Sequence, residues 1–244
     1  MMNVRDPAVD SALEKWRAQW PGWTFAEPFV PMLHRERAIA WLALRGELMA
    51  AAWGGEDPRP GEMKLGWWAE ELQGWKQGVR RHPLGNVLQR EAAAWDALAA
   101  SLPALMASRE RAGTGDEAFL RLEPFAEAIS GVAIALFGGR VGTAPGKNVL
   151  ASLLAERVLT GGDAAVPLEF VAQAGEGAPP LTAARAWARA LLERWPPPHG
   201  GAVPGRLHAS LVRERLRRFA AGGEPNKPLS AWRALLTSWQ AARR

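Results

Sequence analysis

One stretch limits the folds open to this chain: AIAWLALRGELMAAAW, residues 38–53, is apolar on every side of a helix and is interrupted only by Arg45, Gly46 and Glu47. A surface helix shows one apolar stripe, whereas a helix greasy all round must be covered by other elements on all its faces. The rest of the chain supplies suitable cover. Ala, Leu, Arg, Glu and Trp dominate, and β-branched residues are scarce, which favours helices over sheet. The 244 residues are 48% hydrophobic, enough to surround one central helix in a single all-α unit spanning 1–244.

Proline and glycine punctuate the remaining segments. Asp6-Pro7 has the form of a helix start, with Leu13, Trp16 and Trp20 on one face before Pro21-Gly22. Pro31 opens the central helix, and GGEDPRPG (54–61) is a loop. Leu65, Trp68, Leu72 and Trp75 then recur at helical spacing up to Gly78. His82-Pro83 is expected to begin a helix reaching Trp95, with His82 as its cap, and Pro103–Arg111 a shorter helical piece. A long helix over 116–137, with a break near Pro124, closes at Gly138-Gly139. A helix over 147–160 and a weaker segment over 163–175 follow. After GEGAPP (175–180) come helices near 181–194, 204–219 and 228–241.

Composition excludes several chemistries. No cysteine is present, which removes disulfides, thiolate metal sites and a cysteine nucleophile. Among the histidines 34, 82, 199 and 208 no two have helix-ligand spacing, and no nucleotide-binding glycine pattern or nucleophile elbow occurs. The first residues lack an apolar signal core and no run is long enough to span a bilayer, so a cytoplasmic protein is expected. From Leu181 onward 12 Lys/Arg face 3 Asp/Glu, a balance of +9 that leaves −4 for the remainder of the net +5. Such a basic carboxy-terminal third suits a diphosphate, an acidic protein partner or peripheral contact with an anionic membrane, or is simply a solvated arginine-rich face. Nucleic acid is not expected, because no recognition motif accompanies the charge.

Ordered fragments of the sequence resemble the squalene/phytoene synthase family. FVPMLHRERAIAWLALRGELMAAAW (29–53), MKLGWWAEELQGW (63–75) and RRHPL (80–84) match that family's first active-site helix, its "(R/K)L.WW...L" segment and its "HP" dipeptide. LEPFAEAISGVAIALFGG (122–139), the RWPPPHGG…RRF stretch (194–219) and KPLSAWRALLTSW (227–239) continue the order. The resemblance implies an isoprenoid-synthase-like bundle of about ten helices. It also implies Mg²⁺ held by two aspartate clusters against a substrate diphosphate, as head-to-head prenyl coupling requires.

Both clusters are missing here. After Glu47 come Leu48, Met49, Ala50, Ala51, Ala52 and Trp53, and the segment LAERVLTGGDAAVPLEF (154–170) holds only Glu156, Asp163 and Glu169, six or seven apart. Asp163 is better placed to cap the next helix. The pairs Asp10/Glu14 and Glu123/Glu127 have i,i+4 spacing but suit solvated or capping roles, the second at a helix start around Pro124. The expectation is therefore a family-like protein without cofactor or catalytic residues, binding a polyisoprenoid or other lipid, or a protein partner. The alternative is an active Mg²⁺-dependent prenyl transferase with rearranged ligands. Trp41, Met49, Trp53, Trp68, Phe125 and Ile129 would line its cavity. Arg45, one residue before the position of the family's arginine, and Lys64, free to pair instead with Glu70 or Glu71, would contact an anion.

Overall fold

The computed structural model describes residues 7–139, 145–197 and 201–243, so that Asp6 and His199 lie outside the described residues. These residues form an all-α bundle of twelve helices without a strand. In chain order they are α1 (Pro7–Gln19), α2 (Trp23–Ala26), α3 (Arg35–Trp53), α4 (Arg59–Lys76), α5 (Gly85–Leu88), α6 (Trp95–Ala107), α7 (Gly115–Phe137), α8 (Pro145–Gly161), α9 (Leu168–Ala174), α10 (Thr182–Glu193), α11 (Val203–Ala220) and α12 (Ala231–Ala242). Two are single turns, which leaves ten longer ones. None of the described helices is long and apolar enough to cross a membrane.

Two helices share the centre. α3 is buried continuously from Ala38 to Arg45, and α8 from Leu150 to Leu159, polar residues included. α1, α4 and α6 pack around α3, while α7, α10 and α11 pack around α8. α3 and α8 do not themselves pack closely together. A ladder of edge-to-face tryptophans knits the first group: Trp41 meets Trp95 at 6.3 Å, Trp95 meets Trp75 at 5.0 Å, and Trp75 meets Trp68 at 6.5 Å. Each such pair adds to the large area buried by the indoles.

The local departures from the sequence reading have physical causes. No helix joins His82 to Trp95. His82 is not the cap: its Nδ1 accepts from the Leu84 amide at 3.2 Å, but Leu84 is the N-cap of α5, which ends after one turn. The chain then bends so that the Trp95 indole donates to the Glu91 carbonyl (3.2 Å) and its rings enter the core. α6 accordingly begins at Trp95 and runs through Pro103. α7 is continuous through Pro124, because Glu123, Pro124 and Glu127 face solvent, and the carbonyl of exposed Leu120 can turn to water. Glu123 and Glu127 therefore lie inside a helix whose N-cap is Thr114, not at its start. Gly115 is required where it stands, since a Cβ there would come within 2.8 Å of the Trp187 ring.

Glu71 organises the turn after α4. Its buried carboxylate accepts from the Trp75 indole (2.8 Å), the amides of Arg81 (2.7 Å) and His82 (2.8 Å), and Arg81 Nε (3.0 Å). Burial pushes its pKa up, but these donors outweigh burial and hold it below the usual carboxylate value. A group held low in the folded state contributes stability above its unfolded pKa, and that stability is lost as pH falls through the folded value. Glu71→Ala is expected to destabilise the protein by about 3 kcal/mol in urea unfolding near neutral pH. Glu71→Gln should show a flatter loss of stability on acidification than the parent protein.

Candidate functional site

The centre of the bundle is crossed by one ion pair. Arg45 Nη2 on α3 reaches Glu156 Oε1 on α8 at 3.4 Å, and both side chains are about 95% buried. Ser152 Oγ, one turn earlier on α8, donates to the same oxygen at 3.2 Å. His208 on α11 stands with Nδ1 3.8 Å from it, between the rings of Trp16 and Trp20. Burial pushes the Glu156 carboxyl up, against the pull of Arg45, the Ser152 hydrogen bond and Arg215. Burial lowers Arg45, opposed by Glu156. His208 is held well below the ordinary histidine value, first by burial and then by Arg45 and Arg215, and is therefore neutral in the fold. Unfolding lets it take a proton, so its contribution to stability falls as pH drops below about 6.5.

The pair stands between two cavities. Arg45 lines one of ≈ 610 Å³, and Glu156 lines another of ≈ 560 Å³. The larger lies among α7, α8, α11 and α12. Its walls carry Arg45, Arg206, Arg213, Arg217 and Arg233, with Glu214 as the one carboxylate among the described lining residues. Ser130, Ser152, Ser210, Asn148 and Thr237 add neutral hydrogen-bonding groups, and Ala133, Val149, Trp195, Trp232 and Leu236 supply apolar surface. Glu214 is shared by Arg233 (3.1 Å) and Arg217 (3.4 Å), which clasps α11 to α12. Arg206 donates one Nη to the Gly201 carbonyl (2.8 Å), while its Nε is buried without a hydrogen-bond partner. Burial lowers the pKa of Arg206.

The smaller cavity lies between α3 and α8, where the family resemblance puts the two metal-binding clusters. Met49 and Trp53 face it from α3, and Glu156, Arg157 and Thr160 from α8. Arg157 stacks over the Trp53 ring at 5.8 Å, and Arg109 is held by the carbonyls of Ala52, Gly54, Gly55 and Glu56. These residues do not fit Mg²⁺, which takes several oxygen ligands. The site offers one carboxylate, already paired with Arg45, beside a thioether, two indoles and two guanidiniums. Among the described residues no group of three or more His, Asp or Glu side chains is gathered to hold a metal ion.

The other residues singled out in the sequence fall as follows. Trp41 and Trp68 belong to the tryptophan ladder among α3, α4 and α6 and line neither of these two cavities. Phe125 and Ile129 are fully packed on the inner face of α7. Lys64 reaches neither Glu70 nor Glu71; it pairs with Glu47 at 2.6 Å, and Lys15 of α1 holds the other oxygen of the same carboxylate at 2.6 Å. Burial raises the Glu47 carboxyl, and these two lysines more than reverse it. At Gly46 a Cβ would come within 3.2 Å of Trp16, so α1 occupies the space that the family's arginine would need. Asp163 caps a helix, but not the next one: its oxygens accept from the amides of Leu181 (2.7 Å) and Ala184 (2.8 Å) at the start of α10. Glu169 accepts from the Gly115 amide at 2.5 Å.

Sequence reasoning missed α8 as a second central helix, and with it the partner of Arg45. The signal was present: VLASLLAERVL (149–159) repeats the all-round apolar pattern of α3, with Glu156-Arg157 in the place of Arg45-Gly46-Glu47. The arginines of α11 were legible as charge but not as a cavity wall. A scan of the chain against protein-family models returns no match, and a search of curated proteins returns none either.

Removing one member of a buried pair leaves the other charge uncompensated, which costs about 3–5 kcal/mol, whereas an apolar pair of similar volume is often tolerated. Glu156→Ala is accordingly expected to lower unfolding free energy by about that amount. Arg45→Met with Glu156→Leu should recover most of the loss in the same urea titration.

Proposed function

We propose that this protein binds an amphipathic anion, an isoprenoid diphosphate or a related anionic lipid, in the arginine-walled cavity, and does not carry out metal-assisted diphosphate departure. The observation that supports this most is the charge of that cavity: besides Arg45, which is paired with Glu156, four arginines line it against one carboxylate, Glu214, beside serines and an apolar wall of Val149, Ala133, Trp195 and Leu236. Guanidiniums bind phosphate oxygens in pairs of charge-assisted hydrogen bonds and keep their charge when partly buried. Arg206, with a buried Nε lacking a partner, is the first candidate for the anionic group. The volume of ≈ 610 Å³ lies in the range of small-ligand sites.

The resemblance to squalene/phytoene synthases bears on the choice of ligand. In that family Mg²⁺ neutralises a diphosphate; here arginines on α11 and α12 offer positive charge without it, and they sit on the far side of the Arg45–Glu156 pair from the positions of the missing clusters. Positive charge that stabilises the bound diphosphate as well as the departing one lowers no barrier, so such a site suits holding better than cleaving. Met49 and Trp53 border the second cavity without filling it, which favours a ligand-binding protein over a pure scaffold for a protein partner.

Isothermal titration with geranylgeranyl diphosphate, in buffer containing a chelator, tests this. Binding is expected without Mg²⁺, and Arg206→Gln with Arg213→Gln should weaken it by about tenfold or more. Incubation with the same diphosphate and Mg²⁺ should release no pyrophosphate. Turnover, or binding indifferent to these arginines, would defeat the proposal.

A further inference from the structure

We infer that the outer face of α12 docks on an anionic phospholipid surface. α12 is packed the opposite way from an ordinary bundle helix. Its buried residues are small: Ala234, Ser238 and Ala241, with Ser238 Oγ returned to the Ala234 carbonyl at 2.7 Å. Its large apolar residues point outward, Trp232 being 70% exposed, Leu235 39%, Leu236 40% and Trp239 44%. These four recur at i, i+3, i+4 and i+7, so they form one continuous stripe. Close approach explains the inner face: α12 lies against α11 and α2, where a Cβ at Gly22 would stand 3.9 Å from that of Ala234. Nothing internal explains the outer one. Isolated exposed apolar residues are ordinary, but an aligned stripe with two tryptophans marks a contact surface.

Charge selects the partner. From Ser230 to the end of the sequence there are arginines and no acid, and α11 with its connection to α12 adds five arginines and Lys227 against Glu214 and Glu224. Arg243 lies over the Trp239 ring at 4.5 Å, which joins a cation to the edge of the stripe. Indoles and leucines flanked by arginines suit the boundary between acyl chains and headgroups, where Trp is favoured and each nearby cation gains from anionic lipid. Trp232 and Leu236 also border the arginine-walled cavity, so a docked α12 sets the mouth of that cavity against the lipid. The docking goes beyond the ligand-binding reading and does not depend on it, because Leu235 and Trp239 stand outside the cavity lining.

Co-sedimentation of the full chain with vesicles tests this, using phosphatidylcholine alone and phosphatidylcholine mixed with phosphatidylglycerol. The protein is expected to sediment with the mixed vesicles and not with phosphatidylcholine alone. Leu235→Ser with Trp239→Ser should lower the partition coefficient by about tenfold or more, and Arg243→Gln by about fivefold. All these positions are exposed, and unchanged thermal melts will show that the variants fold. Absence of sedimentation with anionic vesicles would overturn the inference, as would sedimentation that the Leu235/Trp239 variant leaves intact. So would a dimer in sedimentation velocity that this variant dissolves, since the stripe would then be covered by a second copy.

Discussion

The Arg45–Glu156 pair is the constraint around which the rest is arranged. It joins two helices that are apolar on all sides and do not pack closely on each other. In such surroundings neither charge can be left alone, because an ion removed from water and unpaired costs several kcal/mol. The attraction between the two is largely offset by their desolvation, so the pair adds little net stability. What it does show is where the two helices meet: these atoms come together at one register of α3 against α8. Ser152 donates to the same oxygen, and His208 of α11 stands with Nδ1 3.8 Å from it.

From this junction the molecule divides into two chemically different halves. On the side of α1, α4 and α6, space is filled by indoles, and polar groups are consumed locally, Glu71 by a turn and Glu47 by two lysines. On the side of α11 and α12, space is left open and lined with four arginines beside one carboxylate, Glu214. Guanidinium charge of this kind repels a metal ion and, on the reading proposed above, is what would receive phosphate oxygens.

α12 extends that division to the surface. A helix that buries alanine and serine can approach its neighbours closely, and its large side chains are then obliged to face outward. The outward stripe and the cavity share Trp232 and Leu236, so the apolar wall of the pocket continues onto the outside of the protein. A ligand with a hydrocarbon tail and an anionic head would meet the same sequence of environments, apolar and then basic, on either side of that rim.

Much of the architecture was legible in the residues because helix periodicity and Pro/Gly punctuation are local. The bounds of α10, α11 and α12 fall within about three residues of their turn signals, and the burial of α3 follows from its lack of any polar face. Local signals failed where a distant contact prevailed. Trp95 leaves the expected helix to join Trp75, Asp163 caps a helix eighteen residues onward, and Lys64 chooses Glu47 over nearer acids. The direction in which α12 faces could not be read either: a periodic pattern shows that a helix has two faces, but not which one a neighbour covers. That choice, like the meeting of Arg45 with Glu156 across 111 residues of chain, is made by packing, because it depends on which surfaces fit at close range once all the helices are in place.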